Sequence, residues 1–112
     1  MRVIAVTAHV SAYPDPICFE AGERLRLGDR DDEYPGWVRV TTADGNTGWA
    51  PEQLIERRSA TDGYAIADYT ARELNTVVGE TLVSHRELND WLWVENDRGQ
   101  CGWVPRNTTS AK

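Results

Sequence analysis

Apolar and polar residues alternate with a period of two in short runs along this chain, and no run keeps a 3.6-residue period over a useful length. Arg24-Leu25-Arg26-Leu27 and Trp37-Val38-Arg39-Val40-Thr41 are the clearest runs, with Val3-Ile4-Ala5-Val6 opening the chain and Leu54-Ile55 closing its first half. Asp44-Gly45 separates two runs as a tight hairpin turn, because glycine reaches the positive φ such turns require. The pattern predicts an all-β protein of short strands. Alternation also assigns faces: Val38, Val40, Leu92 and Val94 point to a core, leaving Trp37, Arg39, Trp91 and Trp93 on the other side of their strands.

The pattern occurs twice. Trp37-Val38-Arg39-Val40, Asp44-Gly45 and Gly48-Trp49-Ala50-Pro51 correspond to Trp91-Leu92-Trp93-Val94, Arg98-Gly99 and Gly102-Trp103-Val104-Pro105, every pair offset by 54 residues. Gly22-Glu23-Arg24-Leu25 corresponds to Gly79-Glu80-Thr81-Leu82 at an offset of 57, and Ala5-Val6 to Ala65-Ile66 at 60. Both changes of offset fall in stretches that read as loops, where copies of one fold diverge. The expected organisation is a first domain over 1–57, a linker over 58–63 and a second domain over 64–112, each domain a small five-stranded barrel. A domain of ~60 residues buries only ~60% of its unfolded surface, so the two barrels are expected to pack together.

Composition narrows the function. Hydrophobic residues make up 40% and charged residues 27%, which places the chain among folded globular proteins. Its net charge is −6, and residues 1–58 and 59–112 each carry −3, so neither half hides a basic face. Such a surface repels phosphate backbones and anionic headgroups, which disfavours nucleic acid and membrane as partners. The N-terminus has too few apolar residues for a signal-peptide core or a membrane span of ~20 residues, and a cytoplasmic protein is expected. Cys18 and Cys101 do not correspond between the copies and are expected as buried thiols that serve packing. There is no nucleophile elbow, phosphate-cradling glycine loop or zinc-binding His-Glu-x-x-His helix, so no enzyme activity and no cofactor is expected. His9, His85, Cys18 and Cys101 are too scattered for the usual zinc spacing.

These motifs resemble the Src-homology 3 (SH3) family. Ala65-Ile66-Ala67-Asp68-Tyr69 stands where the family has Ala-Leu-Tyr-Asp-Tyr, followed by Glu73-Leu74-Asn75, Gly79-Glu80, Trp91 and Gly102-Trp103-Val104-Pro105-Arg106-Asn107. The first copy supplies Ala5-Val6, Ile17-Cys18-Phe19, Gly22-Glu23, Trp37 and Gly48-Trp49-Ala50-Pro51. The likeness covers nearly the whole chain, twice, and is similar to tandem variant SH3 modules of short bacterial proteins. It implies two SH3-like barrels that bind peptides in an aromatic groove.

Carried over residue by residue, the resemblance implies a peptide site of Tyr69, Trp91, Trp103, Pro105 and Asn107 in the second copy, with Glu73 as the reader of a basic ligand residue. Ala67 and Thr108 stand there where the family has tyrosine. In the first copy it implies Trp37, Trp49 and Pro51, with Thr7 and His9 in place of the tyrosine pair, and Gln53 and Leu54 for the final Asn and Tyr. Asp15, in the stiff loop Tyr13-Pro14-Asp15-Pro16, is the expected polar contact of that copy.

Physical reasoning supports the same ligand class. A polyproline II segment is stiff before it binds, so flat aromatic walls hold it at small entropic cost. The run Asp29-Arg30-Asp31-Asp32-Glu33-Tyr34 leads directly to Pro35, Gly36 and Trp37, and its carboxylates, Asp32 among them, favour an Arg or Lys beside the ring. His9 can tune binding by changing charge near neutral pH. The expected function is therefore non-catalytic binding of an extended, proline-containing or basic segment of a partner protein. The competing readings are a cell-wall glycan or peptide binder, and a structural protein with vestigial grooves that assembles as a homo-oligomer.

Overall fold

The computed structural model describes residues 1–112. Twelve strands follow in order: β1 (Arg2–Ala5), β2 (Cys18–Phe19), β3 (Arg24–Arg30), β4 (Trp37–Thr41), β5 (Thr47–Pro51), β6 (Ile55–Arg57), β7 (Asp62–Ala65), β8 (Tyr69–Thr70), β9 (Thr81–Leu88), β10 (Trp91–Glu95), β11 (Cys101–Pro105) and β12 (Thr109–Ala111). Two single 3-10 turns, Glu52–Leu54 and Arg106–Thr108, precede β6 and β12. The all-β expectation therefore holds, and no helix is long and apolar enough to cross a membrane. The alternating runs emerge as alternating burial: Leu25 and Leu27 are buried between exposed Arg24 and Arg26, and Val38, Val40, Leu92 and Val94 all face a core.

The strands form two five-stranded sheets, in the orders β5-β4-β3-β7-β6 and β11-β10-β9-β1-β12, with β2 and β8 as a separate pair. Each sheet takes its first-repeat or second-repeat strands from both copies. The opening strand β1 pairs with β9 and β12, placing Val3 opposite Leu82 and Ala111. Its counterpart β7 pairs with β3 and β6, placing Gly63 opposite Leu25 and Arg57. The first strands of the two repeats are exchanged.

The compact units consequently differ from the expected domains. One unit is contiguous, Asp15–Ala71; the other is discontinuous and joins Met1–Pro14 to Arg72–Lys112. In the contiguous unit the first strand of the second repeat follows the last strand of the first. The expected linker over 58–63 is the reason, because its shortness makes it a hairpin. Arg58 N–H donates to the Asp62 carbonyl (2.9 Å), and Ser59 Oγ accepts from the amides of Thr61 (3.2 Å) and Asp62 (3.1 Å). Closing this short turn between β6 and β7 is a local contact of small chain-entropy cost, while β1 pairs far along the chain, with β9 and β12.

The discontinuous unit packs Val3 and Ala5 with Leu74, Leu82, Leu92, Val94 and Val104 in one buried cluster. The contiguous unit buries Ile17, Phe19, Leu25, Leu27, Val38, Val40, Leu54 and Ala65. Its β4–β5 turn has Gly45 at φ +88°. There the Thr42 hydroxyl, and then the Asn46 backbone, hold the Asp44 carboxyl below the usual carboxylate range. The cysteines depart from expectation: Cys18 is exposed and Cys101 half-buried. Since Ile17 and Phe19 are both buried, a period of two turns Cys18 outward.

The exchange also redistributes charge. The contiguous unit holds 12 acidic and 6 basic side chains, whereas the discontinuous unit holds 6 of each. The even split between repeats thus becomes −6 on one unit and zero on the other.

Candidate functional site

In both sheets a tryptophan that begins a strand lies directly opposite a proline that ends the next one. Trp91 on β10 faces Pro105 on β11, and Trp37 on β4 faces Pro51 on β5. Period-two alternation keeps these rings off the core, because the following residues, Leu92 and Val38, occupy it. Both tryptophans are half-buried.

In the discontinuous unit, Trp91 meets His9. Their rings are edge to face with centroids 5.7 Å apart. His9 Nε2 donates to Glu73 Oε1 at 2.7 Å, and the two side chains are only 15% and 9% exposed. Two segments hold this pair in place. His9 exchanges backbone bonds with Thr76 (3.3 and 2.9 Å), and the Ser11 amide donates to Asn75 Oδ1 (2.7 Å). Around Glu73, the Trp103 amide donates to the Arg72 carbonyl (2.9 Å) and the Leu74 amide to the Trp103 carbonyl (3.0 Å). Pro105 is half-buried and Asn107 exposed at the same end of β11.

Trp103 corrects the expectation of an open wall, being 3% exposed. Trp93, its direct cross-strand partner, meets it edge-on at 5.3 Å, and the Arg86 guanidinium lies 5.4 Å from its ring centroid. Alternation places Arg86, Trp93 and Trp103 in one row across three strands on the face opposite the core. Trp93 therefore covers another indole instead of offering a second open platform.

The contiguous unit carries the other candidates. Arg39 lies 5.5 Å from the Trp49 centroid and donates to Thr47 Oγ1 at 2.9 Å, so this indole too is covered by an arginine. Pro51 is fully buried, which corrects its expected role as a ligand wall. The acidic run is ordered by Asp31, whose Oδ1 accepts from the amides of Glu33 (2.8 Å) and Tyr34 (3.0 Å) and whose own amide donates to the Trp37 carbonyl (2.9 Å). Asp32 and Glu33 are left exposed beside the Trp37 strand. Asp15 is exposed and its carbonyl accepts from Asn46 Nδ2 at 3.1 Å.

Strand exchange re-sorts two expected site residues. His9, expected beside Trp37, belongs with Trp91 and Glu73. Tyr69, expected beside Trp91 and Pro105, lies in the contiguous unit, where it is 6% exposed and tilted against Phe19 at 5.4 Å. The structure thus assembles His9, Glu73, Trp91, Pro105 and Asn107 in one unit, and Trp37, Trp49, Asp15 and Asp32 in the other. Sequence reasoning missed Arg39 and Arg86 as covers of the tryptophans. Once the Asp44-Gly45 hairpin is placed, however, alternation and register alone put Arg39 opposite Trp49.

Comparison with known proteins bears on the first repeat. The variant SH3 domain family model matches residues 2–57, half of the chain, including both Trp37 and Pro51. No curated protein and no solved structure matches the chain. The matched stretch spans one repeat, although its residues up to Pro14 complete the unit that holds Trp91. With the alternating strands, the Trp–Pro pairs and this match together, the chain belongs to the variant SH3 domain family.

Proposed function

We propose that the chain is a non-catalytic protein-interaction module of two SH3-type repeats, in which each compact unit holds an extended segment of a partner protein against a half-exposed tryptophan. The observation that carries this reading is the recurrence, in both sheets, of an accessible indole at a strand start with a proline directly across the ladder. A proline-containing segment suits such a surface, because its backbone is stiff and solvated before binding and its rings stack flat on an indole. Trp91 anchors the ligand in the discontinuous unit, flanked by Pro105, with Asn107 placed to donate to a ligand carbonyl. Trp37 does so in the contiguous unit, where Asp15 and Asp32 add negative charge.

Trp91→Ala is expected to weaken binding at the discontinuous unit by ~2 kcal/mol or more, as for a hot-spot aromatic. Stability should change little, because the ring is already half in water. The test is an amide NMR titration with proline-rich peptides, following the indole N–H signals. Unchanged affinity in Trp91→Ala would remove this unit as a binding site, and no shift at either Trp91 or Trp37 with any peptide would overturn the reading as a whole.

A further inference from the structure

The two units offer a ligand different electrostatics. The contiguous unit is at −6 and leaves Asp32 and Glu33 exposed next to the strand of Trp37. The discontinuous unit is neutral, and Glu73, linked to the half-buried Trp91 through His9, is already engaged by His9 at 2.7 Å. His9 comes from the first repeat and Glu73 and Trp91 from the second, so strand exchange alone creates this contact. Building on the peptide-binding reading above, we propose that His9 sets the charge selectivity of the Trp91 site: by occupying Glu73 it keeps cationic ligand residues out. The Trp91 site then takes uncharged proline-containing segments, and basic segments go to Trp37.

The geometry supports this in three ways. A ligand guanidinium reaching for Glu73 has to displace an imidazole that is fixed by backbone bonds to Thr76 and packed edge-on against Trp91. The carboxylate is nine-tenths buried, where little water screens it, so its charge acts strongly on the group that sits against it, and His9 holds that place. The other carboxylates near Trp91, Glu87 and Asp90, share Arg106 at 3.4 and 3.7 Å, and the 82% exposure of Asp90 leaves its charge screened by water.

The test compares two synthetic proline-rich peptides that differ by one Arg→Ala replacement, titrated into the full chain with the Trp91 and Trp37 indole signals followed in the same sample. His9→Phe keeps an aromatic ring against Trp91 while removing both the hydrogen bond and the charge. We expect wild type to bind the two peptides nearly equally at Trp91 and to favour the Arg peptide at Trp37. His9→Phe should raise the Arg preference at Trp91 about tenfold, the scale of one charge-assisted hydrogen bond, and adding Glu73→Gln to it should remove that gain. If His9→Phe does not fold, His9→Leu, which also removes the hydrogen bond, makes the same measurement. An unchanged Arg-to-Ala ratio in the His9 variant, with Trp91 still shifting, overturns the assignment to His9 alone. Absence of shifts at both tryptophans in wild type overturns the peptide-binding reading and the selectivity with it.

Discussion

Replacing Val3 by Asp is expected to collapse the folded indole signals of Trp91, Trp93 and Trp103 while those of Trp37 and Trp49 persist. Val3 lies in the first repeat, yet it is 3% exposed in the cluster formed by Leu74, Leu82, Leu92, Val94 and Val104. A carboxylate has no partner there, and burying one costs on the order of 4 kcal/mol or more, a large share of the 5–15 kcal/mol that typically holds a domain together. Ala65→Asp is the mirror experiment. Ala65 lies in the second repeat but is buried opposite Ile55 in the contiguous unit, so it should remove Trp37 and Trp49 first. Sequential pairing of the strands would invert both outcomes, which makes the five tryptophans a direct reporter of topology.

The elements were largely legible in the sequence, and their connectivity was not. Period-two alternation placed Leu25, Leu27, Val38, Val40, Leu92 and Val94 inward, and the 54-residue offset aligned two Trp–Pro pairs that the ladders confirm. Local pattern carries this information because it reports which face of a strand is wet. Pairing is a competition between distant segments, and β1 and β7 have similar claims on either sheet, both being four-residue strands that end on a buried alanine. The turn over 58–61 is short enough to make β6–β7 a hairpin of small closure cost, and β1 is left to pair with β9 and β12. In this topology His9 lies with Trp91 and Glu73 and Tyr69 with Phe19, each outside the unit that a barrel per repeat implies. The burial of Trp103 and Pro51 was hidden for a related reason: whether an outward-facing side chain is covered depends on residues such as Trp93 and Arg86 on neighbouring strands.

Gly102 and Gly48 occupy matching positions in the repeats, and alanine should affect them very unequally. A Cβ on Gly102 would stand 2.6 Å from the Leu74 nitrogen and 2.8 Å from the Glu73 carbonyl carbon, backbone atoms that cannot rotate aside. The same atom on Gly48 would meet only Ile17 side-chain carbons, at 3.1–3.3 Å, and these can shift by a fraction of an ångström. Gly102→Ala is therefore expected to cost about 3 kcal/mol and Gly48→Ala about 1 kcal/mol, read as the separation of their urea midpoints from wild type at constant slope. Equal costs would show that the segment around Glu73 does not lie against β11 as described. The larger loss has a functional counterpart, because lifting residues 73–74 off Trp103 breaks the two backbone bonds that position Glu73. His9 would then lose its acceptor, so Gly102→Ala should disturb the Trp91 indole even under conditions where the unit remains folded, and Gly48→Ala should not.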